Sequence, residues 1–149
     1  MAKRLKPGSY GSIIAQLEKW SSSYSLNSED KYSDEYFREH FEIFTKVIFS
    51  EHKRIEVGDL IRFYVFVEHD MKNSVTPPKI VSAFDRSKKC RTAYLTVHNS
   101  FLDNFRFLVN NGIKPYFAIS YLNREVEKDI AITGLYLKSE VEIDNFRTG

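Results

Sequence analysis

Three short stretches of the chain interleave flat aromatic rings with cationic side chains. Arg62, Tyr64 and Phe66 fall at every second position, Phe84 and Arg86 repeat that spacing, and Tyr94 follows Lys88, Lys89 and Arg91. Every-second spacing puts side chains on one face of a β-strand. Rings and cations on a shared face suit a polyanion that also carries flat groups. The bases of a single-stranded nucleic acid stack on Tyr and Phe at ~1–3 kcal/mol each, while Lys and Arg meet the phosphates. These residues form the candidate nucleic-acid-binding set, with single-stranded DNA or RNA as the expected partner.

The remaining chemistry-bearing residues make weaker patterns. His40, His52, His69 and His98 lack the spacing of metal ligands. Cys90 is the single cysteine, which excludes an intramolecular disulfide and a multi-cysteine metal site. His98 with Tyr94 and Arg91 offers an acid–base set for RNA cleavage, but no nucleophile-and-orienter arrangement accompanies it. No glycine-rich phosphate loop is present. The expectation is a binding protein without catalytic residues, cofactor or metal.

Composition sets the outer bounds. A chain of 149 residues with 42% hydrophobic and 28% charged residues is sized for one folded domain and is not a disordered tract. The 22 basic and 20 acidic residues nearly cancel, yet residues 53–98 hold 9 basic against 5 acidic ones, and each flanking third is net −1. The positive excess therefore coincides with the candidate set. No apolar run reaches 18 residues, so no membrane span is expected. The basic start lacks the apolar stretch of a signal peptide, which points to an intracellular protein, cytoplasmic or nuclear.

The elements that must position these residues divide the chain in two. In the first part, Ile13, Leu17 and Trp20 share one face of a short helix that Ser12 caps. A second helix over 34–52 starts at Ser33 or Asp34 and carries the stripe Phe37, Phe41, Phe44 and Ile48. The competing signal is the strand-forming run at 41–49, but helix to about residue 50 is favoured. Strands follow over 60–68, 79–85 and 90–97, then a helix from Asn99 or Ser100 that ends at Gly112, then strands over 114–122 and 129–138. Residues 79–97 read as a hairpin.

The order strand, strand, strand, helix, strand, strand over about 54–138, with Gly58 placed where an opening strand must bend, resembles the OB-fold superfamily. The resemblance implies an α+β protein: an N-terminal helical segment over 1–53, then a five-stranded OB-like β-barrel over 54–149 with its helix between strands 3 and 4. It also implies ligand on an outer barrel face, where nucleic acid, oligosaccharide and protein are all possible partners. On the first strand Ile61, Phe63, Val65 and Val67 would face in. On the second, Ile80, Ser82, Phe84 and Arg86 are assigned outward, and on the third Thr92, Tyr94, Thr96 and His98. The alternative reading packs Tyr64, Phe66 and Phe84 beneath the N-terminal helices or against another protein. The chain is then an interaction subunit, with the 34–52 stripe as a partner or homo-oligomer surface.

Overall fold

Period-two alternation, not the helical repeat, governs the N-terminal third. A computed structural model of the chain describes residues 8–26, 37–68, 79–85, 90–123 and 130–140. Strand β1 (Tyr10–Leu26) buries Ile13, Ala15 and Leu17; β2 (Phe37–Ser50) buries Phe41, Ile43, Thr45 and Val47. Between them on β2, Glu42 and Phe44 are half-buried and Lys46 is exposed. The expected helices are thus replaced by two long paired strands. The β-branched Ile43, Thr45 and Val47 are stiff at χ1 and fit a pleated sheet better than a helix. As a strand, β2 buries four side chains in the core that the rest of the chain builds. Thr45, the hydroxyl in that row, donates from Oγ1 to the Ile61 carbonyl at 2.9 Å, so its burial leaves no unmet hydrogen bond.

Strands β3 (Leu60–Glu68), β4 (Lys79–Asp85) and β5 (Cys90–His98) follow, then helix α1 (Asn99–Asn110), β6 (Tyr116–Leu122) and β7 (Ile130–Lys138). They close into one barrel in the order β1-β2-β3-β5-β4-β7-β6, with β6 returning to β1. The barrel has seven strands rather than five, and the helix follows the fifth strand rather than the third. The expected β4–β5 hairpin pair forms, but β4 does not adjoin β3. Instead β5 lies parallel to β3, from Leu60 beside Cys90 to Glu68 beside His98. Irregularities in β1 at Ile14/Ala15 and Leu17/Lys19 supply local bend and twist, which a closing sheet requires.

The interior is filled by alternate side chains from all seven strands, among them Phe63, Val65, Ile80, Ala93, Leu95, Phe117 and Ile132. Helix α1 covers one end. Its Leu102, Phe105 and Leu108 are buried, and the Phe105 ring meets Trp20 edge-on at 5.4 Å. The cap is His98 rather than Asn99 or Ser100: its Nδ1 accepts the Ser100 amide at 3.2 Å. At the other end of α1, Gly112 adopts φ +76°, donating to Val109 O while Ile113 donates to Leu108 O. That is a Schellman closure, and Gly112 is there because an L side chain strains at positive φ.

The segment 51–59 covers the opposite end with buried Ile55, His52 and Asp59. Asp59 Oδ2 accepts the Glu56 amide at 2.9 Å, and Gly58, at φ +98°, donates to Val47 O. The expected bend at Gly58 is a turn ahead of β3, not a kink within it.

Candidate binding face

The outer surface of β2, β3, β5 and β4 carries the rings. Their register sets Glu42, Tyr64, Tyr94 and Lys79 in one row across the four strands. The row to one side is Phe44, Arg62, Thr92 and Val81; the row to the other is His40, Phe66 and Thr96. Inward burial of Ile61, Phe63 and Val65 on β3, and of Ala93 and Leu95 on β5, fixes the opposite facing of these rows.

The rings interlock. Tyr64 stacks on His40 at 5.1 Å between centroids and 16° between planes, and it touches Phe66 at 5.3 Å and Tyr94 at 6.0 Å. Tyr64 and Phe66 are half-buried by these neighbours, whereas Tyr94 is 41% exposed. Tyr94 is therefore the most exposed ring of the group, and it rests on Tyr64, which His40 and Phe66 hold in turn. Tilted and offset contacts of this kind suit the ring quadrupoles.

Arg62 is held beside them. Its Nη1 donates to Glu42 Oε1 at 3.3 Å, its Nη2 to Thr92 Oγ1 at 3.3 Å, and its guanidinium lies 5.9 Å from the Tyr64 ring centre. An ion pair this exposed contributes little to stability; its effect is to fix where the guanidinium sits. Lys79 is exposed at the end of the Tyr94 row. Lys19 Nζ lies 4.8 Å from the Phe44 ring centre, one row over. Among the described residues, three cations, Lys19, Arg62 and Lys79, thus lie beside the rings against one carboxylate, Glu42.

Of the residues the sequence nominates, Arg62, Tyr64, Phe66 and Tyr94 come together. Arg91 does not join them. It pairs with Ile61 on the inward row, at the end closed by 51–59, where its Nη2 donates to the Arg54 carbonyl at 3.1 Å. Burial, and then the charge of Arg54, push its pKa down, while Asp59 acts the other way. Tyr94, His98 and Arg91 accordingly do not form an acid–base set, because Arg91 lies on the opposite face of β5.

The outward assignment on β4 is reversed where it begins. Ile80 is 1% exposed and pairs with inward Ala93, so Lys79 and Val81 face out. Adjacent apolar residues at 80 and 81 leave the parity open until a partner strand is known. Phe84 lies in β4 within the register shift between Val81 and Asp85, and its side chain lies outside the described residues. Arg86, Lys88 and Lys89 also lie outside the described residues. Sequence reasoning missed His40, assigned to a helix, and Lys79, hidden by the parity error.

A second titratable group sits under the 51–59 end. The His52 ring is buried against Tyr121 at 5.1 Å, edge to face, and its Nδ1 accepts the Arg54 amide at 3.1 Å. Burial foremost, then Arg54, Arg91 and Lys53, lower the His52 pKa to about 4 from an ordinary 6.5. Burial, and then Glu51, raise that of Tyr121. Below pH 6.5 the unfolded chain takes up a proton at this position that the folded chain refuses. The folded state should therefore lose on the order of 2–3 kcal/mol between pH 6.5 and 4. Urea unfolding at pH 7, 5.5 and 4 checks this: His52→Gln should flatten that part of the profile, and an unchanged slope would exclude His52 as its source.

Among the described residues, no group of three or more His, Cys, Asp or Glu is placed to hold a metal ion, and no helix is long and apolar enough to cross a membrane. Comparison with protein-family models, curated proteins and solved structures gives no match.

Proposed function

We propose that the outer face of β2, β3, β5 and β4 binds single-stranded nucleic acid without altering it chemically. The observation that carries this reading is the exposed Tyr94 ring, braced by Tyr64, which His40 and Phe66 hold in turn, with Lys79 in its own row and Arg62 in the next. A braced ring loses little side-chain freedom when a base stacks on it, and nearby cations attract the backbone that carries the base. The closed seven-stranded barrel is compatible with an OB-like ancestry, and ligand on an outer barrel face matches the manner of that superfamily. In this reading the protein works where single strands occur, in the cytoplasm or nucleus.

Fluorescence anisotropy with labelled DNA and RNA oligonucleotides, across a salt series, tests the proposal. Single strands release counterions at about 0.7 per phosphate contact, so contacts from Lys19, Arg62 and Lys79 give a log–log slope of about −2. Any contact from Arg86, Lys88 or Lys89 steepens it. Single strands should bind more tightly than the duplex of the same sequence. No anisotropy change at low salt, together with a defined mass for a complex with another protein, would replace this function with that of an interaction subunit.

A further inference from the structure

Hydrogen-bond donors gather at the barrel end covered by 51–59. Tyr121 on β6 is 1% exposed, and its hydroxyl has no hydrogen-bond partner among the described residues. A buried donor left unmet is costly, so such a group calls for an explanation. Gly11, its partner on β1, brings no side chain to this end. The His52 ring meets Tyr121 at 5.1 Å. Its Nδ1 accepts the Arg54 amide, which leaves the proton of the neutral ring on Nε2 as a second donor.

Arg91 reaches the same end from β5. Its guanidinium bonds one acceptor among the described residues, the Arg54 carbonyl, and no carboxylate. The nearby carboxylates serve the backbone instead. Glu51 Oε1 accepts the Ser12 amide at 2.9 Å, and Asp59 Oδ2 accepts the Glu56 amide at 2.9 Å. Glu51 lies near enough to Tyr121 to help keep its hydroxyl protonated, but it does not accept from it. The charges that bear on the His52 ring are those of Arg54, Arg91 and Lys53, all positive. Arg91 in turn feels Arg54 more than it feels Asp59. The field at this end is therefore positive, in spite of the two carboxylates.

We infer that this end of the barrel holds a phosphate-type oxyanion, bound by Arg91, the His52 Nε2–H and the Tyr121 hydroxyl, and attracted by the exposed Lys53 and Arg54. The three donors belong to three elements, β5, the 51–59 segment and β6. A tetrahedral oxyanion accepts from several sides at once, and guanidinium groups pair with its oxygens. Such an ion gives the Tyr121 hydroxyl its acceptor and offsets the repulsion between Arg54 and Arg91. Mouths of β-barrels are common places for ligands. Arg91 lies on the inner row of β5, opposite the face that carries Tyr94, so the site stands independently of the nucleic-acid reading. A free phosphate and the terminal phosphate of a nucleic acid offer the same oxygens.

Thermal unfolding of the full chain in millimolar sodium phosphate, with ionic strength held constant by sodium chloride, tests the site. The wild-type Tm should rise with the logarithm of phosphate concentration, as it does for a ligand of the folded state. Tyr121→Phe keeps the ring and removes the unmet hydroxyl. Without phosphate it should be at least as stable as the wild type, and it should bind phosphate about ten- to 150-fold more weakly, the loss of one hydrogen bond to a charged group. Arg91→Gln should abolish the rise, whereas Lys138→Gln, exposed on β7, should keep it whole. Oligonucleotides with and without a 5′-phosphate separate the two sources. Tighter binding of the phosphorylated strand, lost in Tyr121→Phe, assigns the site to strand ends; equal binding, with the Tm rise intact, assigns it to the free ion. A wild-type Tm indifferent to phosphate, or a rise of the same size in Tyr121→Phe and Arg91→Gln, would overturn the proposal.

Discussion

Phe41→Ala should lower the free energy of unfolding by about 3–5 kcal/mol, a large share of what holds a domain this size folded. Phe41 is fully buried at the end of the barrel that α1 covers. The Trp20 ring lies 6.1 Å from it at 26°, and the Arg106 guanidinium of α1 lies 5.2 Å from its ring centre. Truncation leaves a cavity bordered by β1, β2 and the helix, which the fixed backbone of a closed barrel cannot fill by relaxing. The informative control is Phe44→Ala. Phe44 faces outward beneath Lys19 and is half-buried, so its loss should cost about 1 kcal/mol or less. A helix would set both rings on one stripe and make the two losses alike. Urea titration followed by fluorescence of Trp20, the sole tryptophan, measures both variants. Equal costs would contradict the strand.

Tyr94→Ala should weaken single-strand binding by about five- to 150-fold, the loss expected when one base forfeits its stacking surface. Tyr94→Phe keeps the ring and should bind nearly as the wild type does. Tyr64→Ala should also weaken binding, but through Tyr94 and His40, which lean on it; it should therefore lower stability as well. The control is Tyr136→Ala. Tyr136 is 57% exposed on β7, paired with Ala118 of β6 and away from this face. Anisotropy titrations at low salt compare them. If Tyr94→Ala and Tyr136→Ala bind alike, the rings on β3 and β5 are not where bases stack.

The spans of the C-terminal five strands and of α1 are legible in the sequence. Strict alternation in Ile61, Phe63 and Val65, polar turns between strands, and Gly112 past the helix each speak for one structure. The N-terminal third is not, because Phe41, Phe44 and Ile48 satisfy a helical stripe while Phe41, Ile43 and Val47 satisfy a strand. Local spacing cannot choose between them. The choice is made by β3 and β6, which supply edges for β1 and β2 from far along the chain. The same blindness hid the parallel β3–β5 pairing and the facing of Ile80. For the candidate face, Arg62, Tyr64 and Tyr94 could be placed because β3 and β5 alternate cleanly. His40 was within reach had 37–49 been taken as a strand, since it lies in step with Glu42 and Phe44.

Closing the barrel joins Tyr10 to Leu122 and Gln16 to Tyr116. Strand β1 must wait for β6 before it is sealed, and that long loop costs entropy before it returns any contact. High contact order of this kind slows folding to milliseconds or seconds. β3 can join β2 once residue 68 is made, but until residue 122 emerges the β6-facing edge of β1 stays open. An open strand edge during synthesis is a site for mispairing, so a chaperone that shields strand edges should raise the yield.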